Sequence, residues 1–364
     1  MQTPTARINL NAIKHNYSVL KELSGNQKLI AVIKGNAYGH DANEVAHALP
    51  NADAFAVARI EEAINLRRSG IEQPILLLEG CFCHKELLKA SQFNLDTVVH
   101  SHNQLEDIER CPLPNPIKVW LKVDTGMHRL GVQPQDVEHY KRRLEAFDYV
   151  AEDIHFLSHL SCADNPSSDK TASQISVFSS ALENVNGLKS LANSAGILLW
   201  PNSQFDVARA GIALFGISPQ ITRTGKDFGL IPAMTFETSL ISKRDHQKGQ
   251  AVGYGETWVA SQDTTLGVIA VGYGDGYPRS GSNNACVYIN GRLVPVVGRV
   301  SMDMIVVDLG PKSKDQCGDI VELWGNNLPI EHVAKSAQAI PYELTIQLTS
   351  RVSKEHCFES YTKA

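Results

Sequence analysis

The chain has no apolar run approaching the roughly 18–20 residues needed to span a bilayer, and it carries no internal repeat or low-complexity tract. An excess of either charge is also missing. Its 34 Lys+Arg stand against 39 Asp+Glu, a net −5 spread along the sequence. With no basic patch, nucleic acid and anionic membrane are set aside as partners. The opening Met1-Gln2-Thr3-Pro4-Thr5-Ala6-Arg7 lacks the apolar core of an export signal. Cysteine is sparse, seven in 364 residues, and scattered. An odd, dispersed count suits reduced thiols, so the expectation is a cytoplasmic protein. The closest cluster, Cys81-Phe82-Cys83-His84, lacks two further ligands at sensible spacing and is not read as a metal site.

What is present is an ordinary globular composition, 43% hydrophobic and 20% charged. The length allows a barrel of roughly 250 residues and a smaller second domain. From about residue 10 to 220, short apolar strands alternate with amphipathic helices. Strands are expected at Leu29–Lys34, Ala54–Ala58, Ile75–Leu78, Leu95–Val99, Ile117–Val123, Ile154–Leu160, around Leu191–Asn193, and at Val207–Gly211. Helices are expected at 41–49, with Asp41 as N-cap, at 61–68 with a stop at Gly70, and at 102–110, 134–146 and 170–185. Eight such strands predict a parallel sheet with both faces covered, most simply a closed (β/α)8 TIM-type barrel; a doubly wound open sheet is the alternative. After about residue 225 the pattern becomes short strands separated by Gly, Asn and Asp, beginning with Val252–Trp258, with one late helix near 330–338. The expected domains are a barrel over 10–225 and a mainly-β C-terminal domain over 226–364, joined by an N-terminal strand in 1–9.

Lys34 closes the first strand, which on a barrel places it at the C-terminal mouth where active sites sit. Two readings of it stay open on this residue alone. The ammonium can snorkel to water, or the amine can be kept reactive to capture an aldehyde as a Schiff base.

The segment Lys34-Gly-Asn-Ala-Tyr38-Gly-His resembles the pyridoxal 5′-phosphate (PLP) lysine signature of the alanine racemases. Further blocks match that family in order over nearly the whole chain. They are Lys122-Val-Asp-Thr-Gly-Met-His-Arg129, His159, Asn193-Ser194-Ala195, Arg209-Ala-Gly211-Ile212, Gly253-Tyr254-Gly255, Gly272-Tyr-Gly-Asp-Gly-Tyr277 and Ser301-Met302-Asp303. The resemblance implies an L-alanine/D-alanine racemase supplying D-alanine for the cell wall, with a homodimer sharing its active sites. Racemisation takes a proton from one face of the α-carbon and returns one to the other, which two acid–base groups can do. The resemblance assigns these to Lys34 and Tyr254, the latter reaching the partner's site. A tyrosine with an ordinary pKa near ~10 is a poor base, and His159 is implied as its support.

Arg209 is implied to face the pyridine nitrogen. A guanidinium only donates, so that nitrogen stays unprotonated and the ring is a weaker electron sink. Tyr38, the Ser194 hydroxyl and the N–H groups of Gly211 and Ile212 are the implied phosphate donors. Arg129 and Met302 are the implied substrate contacts, and Asp303 a supporting residue. Lys122 is carbamylated in many family members, and that modification or a bound anion is expected beside Arg129. Ser350 departs from the family's usual tyrosine and is left out of the site. Tyr273, Tyr277 and Arg279 are implied at the entrance and just behind it.

Two motifs are decoys. Gly272-x-Gly274-x-Gly276 lacks the strand–turn–helix setting of a dinucleotide loop. His155-x-x-x-His159 has zinc-like spacing, but Phe156 replaces the glutamate a metalloprotease needs. A PLP decarboxylase would place a carboxylate where Arg209 stands, and a lone PLP-binding barrel would lack the β-domain. A broader racemase accepting serine remains as the alternative, though such enzymes carry export signals.

Overall fold

The computed structural model describes residues 3–25 and 27–359. The chain forms two compact units, one of Asn16–Leu214 and the other of Met1–His15 with Phe215–Ala364. Strand β1 (Thr5–Asn9) opens the second of these, pairing antiparallel with the long β10 (Met234–His246) and parallel with β18 (Ser353–Cys357).

The Asn16–Leu214 unit is a ring of eight parallel strands. They are β2 (Lys28–Val32), β3 (Ala54–Val57), β4 (Ile75–Leu77), β5 (Asp96–Val99), β6 (Val119–Lys122), β7 (His155–Leu157), β8 (Lys189–Ser190) and β9 (Val207–Ala210). Their order around the sheet follows the chain, and β9 returns to lie beside β2. The last gap is bridged where Arg209 N donates to Ala192 O at 2.9 Å. This is the barrel that the strand–helix alternation predicts, and closure removes the doubly wound alternative. Strands such as Ile75–Leu77 and Val119–Lys122 are buried throughout, as strands covered on both faces must be.

Three local expectations are corrected. The seventh barrel strand, β8, lies at Lys189–Ser190 rather than Leu191–Asn193, because Asn193 caps the helix Ser194–Leu199 through its side chain. Asp41 makes no capping bond and has φ +74°; Asn36 Oδ1 accepts Ala42 N at 2.9 Å instead. The segment 252–258 is not one strand. Gly253 and Gly255, at φ +70° and +71°, turn the chain between β11 (Ala251–Val252) and β12 (Trp258–Val259).

The other unit is a strand-rich sheet completed by β13 (Thr264–Ile269), β14 (Cys286–Ile289), β15 (Arg292–Pro295), β16 (Ile305–Gly310) and β17 (Ile320–Trp324). Its core centres on Phe236 against Trp324, ring centroids 4.7 Å apart, with Tyr277 stacked beyond. Tyr277 is therefore a core side chain. The late helix runs Ile330–Ser336. Among the described residues no helix is long and apolar enough to cross a membrane, and no group of His, Cys, Asp or Glu is arranged to hold a metal ion.

Asp53 pins the start of β2 to the preceding helix, Leu10–Leu23. Its Oδ2 accepts Leu29 N at 2.8 Å and Lys21 Nζ at 2.5 Å. Burial pushes this carboxyl up, but Lys21 and the Leu29 N–H outweigh it and hold the pKa below its ordinary value. Asp53→Ala should cost about 1–2 kcal/mol in urea unfolding. Because the folded-state pKa is depressed, that stability is present above the ordinary carboxylate range and disappears as pH falls through the folded value. The gap between wild type and variant should close in acid; a gap independent of pH would contradict the assignment.

Candidate active site

At the mouth of the barrel, β2 ends at Val32 and Lys34 begins a turn of the wrong hand. Gly35, Asn36, Ala37 and Tyr38 have φ of +62°, +53°, +55° and +52°. Left-handed backbone costs about 1–2 kcal/mol for each residue with a Cβ, so the surroundings must over-determine it. Ala37 N donates to Ile33 O at 2.8 Å, and Gly35 N donates to Glu62 Oε1 at 2.7 Å. The turn folds Tyr38 back over the end of β9. A Cβ on Gly211 would lie 2.7 Å from Tyr38 Oη, so glycine is required there for close approach rather than for its dihedral angles.

Ser194 stands beside this approach. Its Oγ accepts Gly211 N at 2.9 Å and Ala213 N at 3.3 Å. Both acceptor sites of the hydroxyl are thereby used, and its own proton is left to donate. Tyr38 and Ser194 thus converge on the Gly211 backbone, with Ile212 next in the chain, as a cradle for an anion. The Gly211 N–H, expected to face a phosphate, is bonded to Ser194 here.

Arg209 lies on β9, only 3% exposed. Nη1 donates to Ser190 O (3.0 Å) and Ser190 Oγ (2.6 Å), and Nη2 to Ser158 O (2.6 Å). Burial lowers its pKa to about 10, which still leaves it charged at neutral pH. Among the described residues no carboxylate pairs with it and no acceptor meets Nε.

Lys122 closes β6 and is 8% exposed. Its pKa falls to about 8, first through burial and then through Arg209, Arg129 and Lys34, with Glu79 opposing. Lys34 is lowered by burial and by Arg129, against Glu79 and Glu62. His159 sits well below the ordinary histidine value, by burial and then by Arg209, Lys122, Arg129 and Lys34. Its imidazole is therefore neutral, with one ring nitrogen a hydrogen-bond donor and the other an acceptor. The turn carrying Arg129 is set by Asp124, whose Oδ1 accepts the N–H of Gly126 and of His128 at 3.0 Å each.

Sequence reasoning missed Gln174. This buried side chain donates to Thr125 Oγ1 (3.2 Å) and His159 O (2.9 Å), and accepts Ser161 N (2.9 Å). Thr125 Oγ1 meets Ser158 Oγ at 2.8 Å. One helix residue, from Lys170–Ala181, thus ties the Arg129 turn to the His159 loop and on to the strand end that holds Arg209. A glutamine on a helix gives no sequence signal for this, because the role lies in what it meets.

The barrel unit therefore brings together Lys34, Tyr38, Lys122, Arg129, His159, Ser194, Arg209 and Gly211. Tyr254, Met302 and Asp303 belong to the other unit. Tyr254 tops the turn between β11 and β12 and is 71% exposed; Met302 is 51% exposed. The Arg299 guanidinium packs on Gly255, with Nη1 3.1 Å from where a Cβ would stand. Arg351, after the departing Ser350, bridges Asp275 (3.1 Å) and Asp303 (2.7 Å), which holds the Met302 loop to the Gly272–Gly276 loop.

Comparison with known proteins agrees along the whole length. The family model for the alanine racemase N-terminal domain matches residues 8–219, and that for the C-terminal domain matches 233–356. The chain is 50% identical to a biosynthetic alanine racemase of Salmonella typhi over 357 residues, covering 98% of this chain and 99% of the relative. It is also 50% identical to the alanine racemase of Edwardsiella ictaluri over 361 residues, 99% of each. The solved biosynthetic alanine racemase from Pseudomonas aeruginosa superposes with a TM-score of 0.95 at 40% identity, covering 98% of this chain and 100% of that one. A Bartonella henselae alanine racemase, solved with covalently bound pyridoxal phosphate, matches at TM-score 0.87 and 32% identity over 98% of this chain and 100% of that one.

The Lys122 environment gives a signed expectation. Between a folded pKa of about 8 and an unfolded value near ~10.4, the unfolded chain binds more protons, so stability rises with pH across that window. In bicarbonate-free buffer without cofactor, Lys122→Met should exceed wild type in stability at about pH 7 by on the order of 2 kcal/mol, converging by about pH 10. Parallel urea-midpoint profiles would show that Lys122 is not penalised.

Proposed function

This chain belongs to the alanine racemase family, and from that premise we propose how its residues divide the work of interconverting L- and D-alanine. The observation that carries the proposal is the pairing of Lys34 with the Tyr38–Ser194–Gly211 cradle and a carboxylate-free Arg209 in one barrel mouth. These residues fit PLP. Lys34 would hold it covalently, the cradle with Ile212 would take its phosphate, and Arg209 would donate to its ring nitrogen. Bound PLP would draw electrons from the substrate α-carbon and so acidify its hydrogen.

Lys34 then moves the proton on one face. The lowered amine pKa means that less free energy is needed to have it neutral at working pH. The partner subunit's Tyr254 serves the other face, with neutral His159 as its hydrogen-bonding support. The exposure of Tyr254 and Met302 within a single chain supports a second copy covering them, hence a homodimer with shared sites. Arg129 and Met302 meet the substrate, and Asp303 steadies the Met302 loop through Arg351.

An ammonium at Lys122 would repel Arg129. Its amine at a pKa of about 8 is a nucleophile near neutral pH. The ammonium first loses one proton; attack of the neutral amine on CO2 with loss of a second gives a carbamate, so that a positive charge is replaced by a negative one beside Arg129. A bound anion would serve the same purpose. No serine-accepting alternative is favoured by any of these residues or by the relatives' names. The free cysteines fit a reducing compartment, and the proposal places the enzyme in the cytoplasm as a biosynthetic source of D-alanine.

Carbon-13 bicarbonate should give a carbamate resonance that is absent in Lys122→Met; no such signal, together with no anion in a crystal at Nζ, would remove this assignment. Shared sites predict complementation. Lys34→Ala and Tyr254→Phe homodimers should each be nearly inactive, while refolding an equal mixture should restore roughly a quarter of wild-type activity. Half the dimers would be mixed, each with one intact site. No recovery from a mixture that does form mixed dimers would place both bases on one chain.

A further inference from the structure

We propose that Glu62 is a positioning residue for the cofactor lysine, acting through the backbone of the left-handed turn that Lys34 begins; the proposal rests on the reading that Lys34 carries PLP. Glu62 is the third residue of the helix Ile60–Arg68. Its Oε2 accepts the N–H of Ala58 and of Arg59 at 3.0 Å each, the reach back to the N-cap backbone made by the third residue of a capping box. Capping would need no more than that. Its Oε1 nevertheless leaves the helix and takes Gly35 N at 2.7 Å, the first N–H after Lys34.

That bond is placed where it has most leverage. It fixes the peptide plane between Lys34 and Gly35, and so the direction in which the Lys34 stem leaves the strand. Three residues on, the same turn delivers the Tyr38 hydroxyl to Gly211. Asn36, Ala37 and Tyr38 each hold a conformation that costs about 1–2 kcal/mol; without an anchor at its start, the turn would relax toward ordinary dihedrals and carry both side chains away from the cradle. Glu79, the other carboxylate felt by Lys34, is paired with Arg59 at 2.6 Å. Glu62 makes no ion pair among the described residues, so its charge opposes the cations Arg129 and Lys122 around Lys34, while His159 stays neutral.

Glutamine is the informative replacement, because its amide keeps one acceptor and turns the other into a donor. If the oxygen stays with the helix end, an N–H faces an N–H at Gly35 and the turn is unclamped. The test uses the holoenzymes of wild type, Glu62→Gln and Lys34→Ala. Release of PLP on dilution, borohydride trapping with peptide mapping across pH, and the thermal midpoint are measured. Glu62→Gln should release PLP about tenfold faster, as expected for losing one charge-assisted hydrogen bond. Its midpoint for trapping at Lys34 should move to lower pH, since removing a negative charge makes the free amine available earlier. A purely structural loosening would reduce trapping at every pH without moving that midpoint. Unchanged release and midpoint, with trapping still mapped to Lys34, would overturn the role of Glu62 alone. Trapping that persists in Lys34→Ala would overturn the reading of Lys34, and this proposal with it.

Discussion

The barrel mouth is governed by like charge around a partly dry site, with Lys122 and Arg209 buried, Lys34 half-buried and Arg129 exposed. Lys34, Lys122, Arg129 and Arg209 act on one another or on His159 there, and the carboxylates that answer them, Glu79 and Glu62, lie at the edge. Charges in such a setting are costly unless anions complete them. Three anions of the proposed chemistry have the right character: a cofactor phosphate, a substrate carboxylate and a carbamate on Lys122. Burial first, and then this field, makes His159 neutral and lowers both lysines, so in the proposed mechanism the groups that exchange protons are prepared by those that bind anions. Arg209 sets the limit of this effect. Even buried it keeps a pKa of about 10, and in the proposed role a permanent donor behind the ring would restrain charge delocalisation and the side reactions that follow from it.

Backbone strain supplies the second constraint. A left-handed turn directly after the reactive lysine would be unstable alone, and it persists because Glu62, Ile33 and Asn36 bind its ends. The strain has a geometric return: four residues after Lys34 it brings the Tyr38 hydroxyl onto Gly211. Gln174 does the corresponding task for the loops after β6 and β7 without strain, by filling every acceptor and donor in reach.

Much of this was legible in the residues. Alternating apolar runs and amphipathic helices specify the barrel because each parallel strand must be buried on both faces, and the change to short strands parted by glycine marks the β-rich part. Individual ends were less legible. Leu191 and Ala192 read as strand, yet β8 stops at Ser190 because the capping of the next helix by Asn193 takes precedence. Val252–Trp258 read as a single strand, though two glycines at positive φ reverse the chain around Tyr254. The family's motifs named residues expected to touch cofactor or substrate. Glu62 and Gln174 escaped notice because a helix glutamate and a helix glutamine are ordinary, and their meaning lies in tertiary partners that no spacing encodes.

The central claim is that two groups on opposite faces of the substrate share the proton transfers, Lys34 on one and Tyr254 on the other. The most direct measurement is solvent exchange in heavy water with the Tyr254→Phe holoenzyme. The account predicts that one enantiomer, the one Lys34 serves, exchanges its α-hydrogen while the other keeps its own, with almost no inversion from either. Equal exchange of both enantiomers, or racemisation at the wild-type rate, would contradict it.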